Sequence, residues 1–218
     1  MSLPPKIIDS SGSESFGGSQ MWLPDPMLLN SGCGIIAGLD CIMRLKGEES
    51  MSRDQYFERF FDAKDYIRPI TVGKNREPRK LFGKEFLGSF GVSAGRFRKG
   101  VKKLAVKEGL KIRVRPFRFR WWEKIPKYLE SGDPLVMLIT APFNNVAVET
   151  PSGHKTMCGF HWVTITGMDG DTLWVSSWGW KCKMSVKELR QFNVMLHFYS
   201  VSLEKPSDIS LEKPGNIV

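Results

Sequence analysis

After a glycine-rich turn near the start of the chain, apolar residues recur with the period of an α-helix. The positions that follow this period are Ile35, Ile36, Leu39, Ile42 and Met43. Such spacing predicts an amphipathic helix with Ser31 as its N-cap and Gly47 at its end. The patterns over residues 53–64, 93–108 and 121–131 predict three more helices in the same way.

Further along the chain the apolar pattern changes to the alternation of β-strands. We expect strands over residues 111–115, 135–140, 162–166, 172–176 and 194–202. A turn at Asp169-Gly170 joins the third of these strands to the fourth. Ser185 and Glu188 have the spacing of a capping box and predict a short helix before the last strand. Because helices come first and strands follow, the predicted fold class is α+β with an antiparallel sheet.

The composition along the chain predicts one domain with two polar ends. Residues 1–20 are rich in Ser and Gly, so we expect a flexible N-terminal segment. Residues 21–204 are expected to form a single domain, in which residues 67–90 are an irregular connection broken by Pro and Gly. Residues 205–218 are expected to be a polar, frayed tail.

The overall composition excludes several classes of protein. The chain has 218 residues, of which 41% are hydrophobic and 25% are charged, as in globular rather than fibrous or disordered proteins. No apolar run reaches the roughly 18 residues that would span a bilayer. The N-terminus lacks the pattern of a signal peptide, and four irregularly spaced cysteines predict free thiols rather than a disulfide framework. We therefore expect a cytoplasmic protein.

A basic segment carries the net charge of the protein. The formal charge is +9, and residues 96–127 contain 13 Lys or Arg against two acidic residues. Within this segment Val and aromatic residues interleave with Arg113, Arg115, Arg118 and Arg120. Such a segment can bind single-stranded nucleic acid or an anionic membrane. We prefer the alternative of a strand with apolar side chains inward and arginines outward, because it explains the alternation without a ligand.

Cys33 is the first candidate for chemistry, because it lies at the predicted start of a helix between Gly32 and Gly34. The helix dipole and the free backbone N–H groups at such a position lower the pKa of a thiol and can hold an oxyanion. The alternative is a small buried side chain with a packing role, which is common for cysteine.

His161 and the return strand of the predicted hairpin are the second candidate. His161 stands at the start of the strand over 162–166, where it can take a proton from a thiol and return it to a leaving group. Ser176, Ser177 and Trp178 lie on the return strand, where a hydroxyl can orient the imidazole and the indole can shield it from water. Taken alone, His161 is better explained as a half-buried, hydrogen-bonded histidine.

Together these segments resemble the papain-like cysteine peptidases. The matching pieces are Ser-Gly-Cys33-Gly at a helix start, His161-Trp-Val-Thr-Ile-Thr-Gly on a strand, and Ser-Ser-Trp178-Gly where that family has Asn-Ser-Trp-Gly. The stretch from Ile125 to Val136, followed by the His strand, resembles the bacterial C39-like branch. The resemblance implies a helical left lobe, a right lobe of antiparallel strands in a half-barrel, and a cleft between them that holds the Cys and the His.

Two departures from the family pattern concern the groups around this pair. The family has a Gln several residues before the Cys whose amide completes the oxyanion hole, but the position six before the cysteine is Met27. Asn30 and Gln20 carry amides that can replace it. The third catalytic position is Asn or Asp in the family; here the motif places Ser176 there, and the spacing also allows Ser177.

Two other features of the sequence are not expected to form a second site. Cys158 and His161 have the spacing C-x-x-H, but half of a ligand pair does not make a zinc site. Asp40, in the helix that begins near Cys33, is expected on a solvated face.

The sequence therefore predicts a cysteine peptidase or related thiol-dependent amide hydrolase, without cofactor or metal, that acts on a peptide or protein. Cys33 is the nucleophile, His161 the general base and Ser176 the orienting residue, and an acyl-enzyme connects the two halves of the reaction. One alternative is a catalytically inactive papain-like module that binds a peptide or a protein. Another is a binder of nucleic acid or of a membrane surface through residues 96–127.

Overall fold

The computed structural model describes residues 3–72, 79–81, 84–86, 88–89, 91–118, 120–140, 146–191 and 196–204. The helices are α1 (Pro26–Ser31), α2 (Cys33–Leu45), α3 (Arg53–Lys64), α4 (Ala94–Lys107), α5 (Trp121–Glu130) and α6 (Val186–Gln191). The strands of the first half are β1 (Lys6–Ile8), β2 (Glu14–Phe16), β3 (Ser50–Ser52), β4 (Thr71–Val72), β5 (Arg79–Leu81), β6 (Lys84–Phe86) and β7 (Gly88–Ser89). The strands of the second half are β8 (Ile112–Phe117), β9 (Leu135–Thr140), β10 (Val146–Glu149), β11 (Lys155–Cys158), β12 (Phe160–Asp169), β13 (Thr172–Ser177), β14 (Trp180–Ser185) and β15 (Leu196–Leu203). Within the described part of the chain, no helix is both long enough and apolar enough to cross a membrane.

The second half of the chain forms one large antiparallel sheet. Its eight strands lie in the order β11-β10-β14-β13-β12-β9-β15-β8, and each neighbouring pair is antiparallel. Helices α1 to α4 come before this sheet in the chain, and α5 and α6 are inserted between its strands. The predicted α+β class, with helices and a large antiparallel sheet, is confirmed.

The large sheet separates two apolar clusters, so its central strands are buried on both faces. Successive side chains of a strand point to opposite faces, and β9 shows this directly. Val136 and Leu138 pack in the cluster that contains α2, α3 and α4. Leu135, Met137 and Ile139 pack in the cluster that contains α5 and α6. Helix α2 therefore packs against one face of the sheet, where it contacts β12.

Helix α2 is buried at every position from Cys33 to Met43, whereas its amphipathic pattern predicts only one buried face. Its boundaries differ from the prediction at the N-terminus, because the short helix α1 ends immediately before it. Ser31 belongs to α1 and donates a hydrogen bond from its hydroxyl to the Met27 carbonyl, at 2.6 Å. The N-cap of α2 is Gly32, which offers no side-chain acceptor, so the prediction of a Ser31 cap is wrong.

The N-terminal residues are ordered where a flexible segment was expected. Strand β1 pairs antiparallel with β2, which follows it closely in sequence, and in parallel with the distant β3. Ile7 is fully buried in the helix-side cluster. The expected irregular connection over residues 67–90 likewise contains short strands, in which β4 pairs with β7 and β5 pairs with β6. The expected tail, residues 205–218, lies outside the described residues.

The basic segment contains the predicted strand. In β8 the side chains of Ile112, Val114 and Phe117 are buried, whereas Arg115 is exposed. Trp121, at the start of α5, is buried as well. Burial of these rings removes them as platforms for stacking on bases, while the arginines keep their positive charge at the surface.

Candidate active site

Cys33 occupies the first position of α2 and lies against strand β12. Its side chain is 7% exposed. The backbone N–H groups of Trp162, Gly34 and Cys33 itself face the sulfur and favour the thiolate, but burial has the larger effect and raises the thiol pKa. The helix N-terminus alone predicts a thiolate at neutral pH. Burial reverses that expectation, so the free protein carries a neutral thiol.

His161 lies on β12, immediately before Trp162. Its Nε2 atom is 2.7 Å from the Ser177 hydroxyl oxygen, and its ring stacks on Trp178 with centroids 4.8 Å apart and planes 18° apart. The ring is buried, and this burial lowers the imidazole pKa to about 4. At neutral pH the imidazole is therefore uncharged and has one ring nitrogen able to accept a proton.

The turn between β13 and β14 explains how an indole comes to lie on this imidazole. Trp178 and Gly179 are the two turn residues, with φ of 54° and 79°. Positive φ at both central residues is the signature of a type I′ turn, which matches the twist of a hairpin. A bulky residue rarely adopts such a φ, so the hairpin holds Trp178 in an unfavourable conformation. This arrangement places its ring beside His161.

The two serines of β13 have different partners, although both are buried. Ser177 contacts His161, as described above. Ser176 instead donates a hydrogen bond to the Phe16 carbonyl oxygen at 2.6 Å. Neighbouring residues on a strand point to opposite sides, which is why only one of the two hydroxyls reaches the imidazole. The contact with His161 that was predicted for Ser176 is therefore made by Ser177.

A small polar cavity joins the candidate residues. Its volume is about 20 Å³, enough for one water-sized group. The side chains that line it include Gln20, Cys33, Asp40, His161, Ser176 and Ser177. The Gln20 Oε1 atom is buried and has no hydrogen-bond partner within the described residues. Asn30, the other candidate amide, is exposed on α1 and is not among the residues that line this cavity.

A larger, mainly apolar cavity also borders Cys33. Its volume is about 330 Å³, and its walls include the segment before α4 and parts of β9 and β12. Val92, Leu138, Phe160 and Trp162 are among its apolar lining residues. Cys33 therefore borders both a space for one small group and a larger space that can take a side chain.

Asp40 is a polar residue of this site that the sequence analysis placed wrongly on a solvated face. It is 2% exposed and lines the small cavity. Tyr56 donates its hydroxyl hydrogen to Oδ1 at 2.8 Å, and the Gly18 N–H donates to Oδ2 at 3.3 Å. Burial raises the Asp40 pKa to about 7, and these two hydrogen bonds oppose the rise. A signal was present in the sequence: Asp40 follows Cys33 by seven residues, which is two helical turns, and so shares its face.

The other three cysteines are buried, free thiols that line neither of the two cavities. Burial raises the pKa of Cys158 to about 12 and that of Cys182 to about 11. Over the residues that the structure describes, no group of three or more His, Cys, Asp or Glu side chains is placed to hold a metal ion. Cys158 and His161 therefore have no third ligand beside them in that part of the chain.

Comparisons with known proteins give one likeness of fold. A solved structure from Bacillus anthracis, described as a "putative C39-like peptidase", is 15% identical to this chain. The likeness covers 86% of this chain and 95% of that chain, with a TM-score of 0.51. No protein-family model and no curated protein matches the sequence. At this identity the likeness shows a distant relationship of fold, in agreement with the resemblance of the sequence motifs.

Proposed function

We propose that the protein is a thiol-dependent amide hydrolase, most simply a cysteine peptidase, with Cys33 as its nucleophile. The observation that carries this proposal is the environment of His161. His161 lines the same cavity as Cys33, the Ser177 hydroxyl binds one nitrogen of its ring, and Trp178 stacks on one ring face. A nucleophile, a base and a group that orients the base are the three parts of a nucleophilic catalytic site.

The tautomer of His161 determines how the first step proceeds. When Nε2 carries the proton and donates it to the Ser177 hydroxyl oxygen, Nδ1 is free to accept. As the Cys33 sulfur attacks a substrate carbonyl carbon, its proton moves to Nδ1, and the carbonyl oxygen becomes an oxyanion. His161 then gives this proton to the leaving amine, and the C–N bond breaks to leave a thioester on Cys33.

The two cavities beside Cys33 suit the two sides of the substrate. The small polar cavity has room for the single oxygen of the oxyanion, where the Cys33 backbone N–H and the Gln20 carboxamide are the donors we propose. The carboxamide donates when it is turned to present its nitrogen, since the oxygen and nitrogen of an amide occupy nearly equivalent positions. The apolar cavity has room for a hydrophobic side chain of a peptide.

Hydrolysis of the thioester completes the reaction. Water loses a proton to His161 Nδ1 as it attacks, and the Cys33 thiol leaves with that proton restored. We also propose that α2 to α4 and the large sheet correspond to the left and right lobes of the papain-like fold. In that arrangement the two cavities at Cys33 are parts of one cleft.

The test is turnover of a panel of fluorogenic peptides and activated esters by the wild type and by Cys33→Ala. Cys158→Ser is the matched control, because Cys158 is also a buried, free thiol. We expect turnover by the wild type and by Cys158→Ser and its loss in Cys33→Ala. Turnover that persists in Cys33→Ala contradicts the proposal. Binding of a peptide without any turnover supports the alternative of an inactive module.

A further inference from the structure

A short N-terminal strap, residues 16–20, connects the two sides of the candidate site. On the hairpin side, the Phe16 carbonyl accepts from Ser176 at 2.6 Å, and the Phe16 N–H donates to the Gly179 carbonyl at 2.7 Å. On the helix side, the Gly18 N–H donates to Asp40. Gln20 follows at the end of the strap, at the first position of a 3-10 turn capped by Ser19. The strap thus ends with a carboxamide in the small cavity.

Two glycines let the strap pass between these walls. A Cβ atom on Gly18 would lie 2.0 Å from the Tyr56 hydroxyl oxygen, far inside contact distance. A Cβ atom on Gly17 would lie 2.6 Å from Asp40 Oδ2 and 2.6 Å from Ser176 Oγ. The backbone of the strap therefore lies directly on the Asp40–Tyr56 pair, and a side chain at either glycine would push it away.

Gln20 lies close to the nucleophile at the far end of the strap. A Cβ atom built on Gly32, the residue before Cys33, would lie 3.5 Å from Gln20 Cβ. The Gln20 Oε1 atom is buried and has no partner within the described residues, so no hydrogen bond from that atom fixes the carboxamide. Its placement depends on the backbone that carries it, and the nearest anchor of that backbone on α2 is the hydrogen bond to Asp40.

We propose that Asp40 is a positioning residue: its carboxyl group accepts the Gly18 N–H and thereby places the Gln20 carboxamide beside Cys33. This inference rests on the proposed hydrolase function. Tyr56 holds the carboxyl group in turn, through the hydrogen bond to Oδ1. Asp40 touches neither the sulfur nor the imidazole in this role. It acts on the rate through the strap and Gln20.

The decisive test is a double-mutant cycle between Asp40 and Gln20, measured as kcat and KM separately. Removal of one oxyanion donor lowers rate by about 10²–10³, so we expect Gln20→Ala to reduce kcat by that factor. Asp40→Leu, which keeps a similar volume without an acceptor, is expected to reduce kcat by about 10–100-fold with KM changed little. In the Gln20→Ala background, the same substitution is expected to change kcat by less than about 3-fold. An equal loss in both backgrounds overturns the proposal.

Asp40→Asn is the conservative variant that should rescue function. Its amide oxygen can accept from Gly18, while its amide N–H₂ donates to Tyr56, whose hydroxyl both donates and accepts. We expect kcat within about 3-fold of the wild type, because the anchor needs an acceptor and not a charge. A loss in Asp40→Asn as large as that in Asp40→Leu contradicts the positioning role.

A third variant and a readout without turnover keep the test valid if Asp40→Leu does not fold. Gly18→Ala displaces the strap without touching the carboxyl group and is expected to lower kcat, whereas Gly95→Ala, in open space on α4, is the matched control. Hydrogen exchange of peptides covering residues 16–22 should be faster in Asp40→Leu or Gly18→Ala than in Asp40→Asn. Unchanged hydrogen exchange refutes the proposal that the Asp40–Gly18 hydrogen bond holds the strap. Turnover that survives in Cys33→Ala refutes the hydrolase function and leaves the role of this hydrogen bond unaffected.

Discussion

Removing the Ser177 hydroxyl is expected to slow the reaction far more than removing that of Ser176. The two serines are adjacent on β13 and are each 5% exposed. Each hydroxyl makes one short hydrogen bond, Ser177 to His161 at 2.7 Å and Ser176 to Phe16 at 2.6 Å. Substitution by Ala removes the same atom in both variants, so a difference between them reports the partner rather than the burial.

The magnitude follows from what Ser177→Ala leaves behind. The imidazole is buried, so its Nε2–H group loses its acceptor in a place that water does not readily reach. An unsatisfied buried donor costs about 1–3 kcal/mol, and this cost falls on the Nε2–H tautomer that leaves Nδ1 free, so a smaller fraction of the enzyme is reactive. If the ring turns to avoid that cost, Nδ1 leaves the position from which we propose that it accepts the Cys33 proton. Either way we expect kcat/KM to fall by about 10–100-fold, since 1.4 kcal/mol corresponds to a factor of ten.

The assay is kcat/KM on one peptide substrate for wild type, Ser177→Ala, Ser176→Ala and Ser177→Thr. Ser176→Ala should lose clearly less activity than Ser177→Ala, because its hydroxyl binds the Phe16 carbonyl at the start of the strap and not the imidazole. Ser177→Thr retains the hydroxyl and should be more active than Ser177→Ala. Thermal unfolding of all four checks that the fold is kept. Equal losses in the two alanine variants would refute the assignment of Ser177 as the orienting residue.

Three further outcomes are expected from the pKa values and the packing. Burial lowers the His161 pKa to about 4, and only the neutral imidazole accepts a proton. We therefore expect kcat/KM to stay constant as the pH falls to about 5 and to decline toward pH 4. A decline centred near pH 6.5 contradicts this expectation. Trp178→Asn suits the left-handed turn but exposes the imidazole to water. The pH at which kcat/KM falls on the acid side should therefore rise by about one unit. An unchanged pH dependence would show that the indole does not desolvate His161. The Asp40 pKa is raised in the folded state, so the wild type binds an extra proton between about pH 4 and 7 and loses stability as the pH rises through 7. The free energy of unfolding of Asp40→Asn, measured with urea relative to the wild type, should therefore increase by about 2 kcal/mol between pH 5 and pH 8. The same difference between variant and wild type at both pH values contradicts the raised Asp40 pKa.

The parts of the fold that were predictable are those with a strong local pattern. Apolar residues at helical spacing located α2, period-two alternation located β8, and a continuous apolar run located β9. Cys33 and His161 were identified as candidates in the same way, because each stands at the start of a predicted helix or strand. The N-terminal strands were missed for the opposite reason. Their Ser and Gly content predicts flexibility, and the partners that they have besides each other are β3 and the β13–β14 turn, which lie far away in sequence.

Within the site, the unpredictable part was the choice among similar neighbours. Whether Ser176 or Ser177 reaches the imidazole depends on the register of β12 and β13, which shifts between Ile165 and Gly167. Whether Gln20 or Asn30 reaches the cavity depends on the path of the strap, which the sequence does not reveal. Composition and spacing do not distinguish Ser176 from Ser177, or Gln20 from Asn30.

Burial, rather than charge, determines how Cys33 and His161 share their proton. Burial raises the pKa of the thiol and lowers that of the imidazole, so both groups are neutral near pH 7. A carboxylate in place of Ser177 would favour the imidazolium through a charge-assisted bond, whereas a hydroxyl orients the ring with a weaker, neutral one. The negative charge of the reaction therefore appears only as the sulfur attacks, and it appears on the substrate oxygen. The groups that meet that oxygen then contribute most to rate, so we expect the loss of kcat in Gln20→Ala to exceed that in Ser177→Ala.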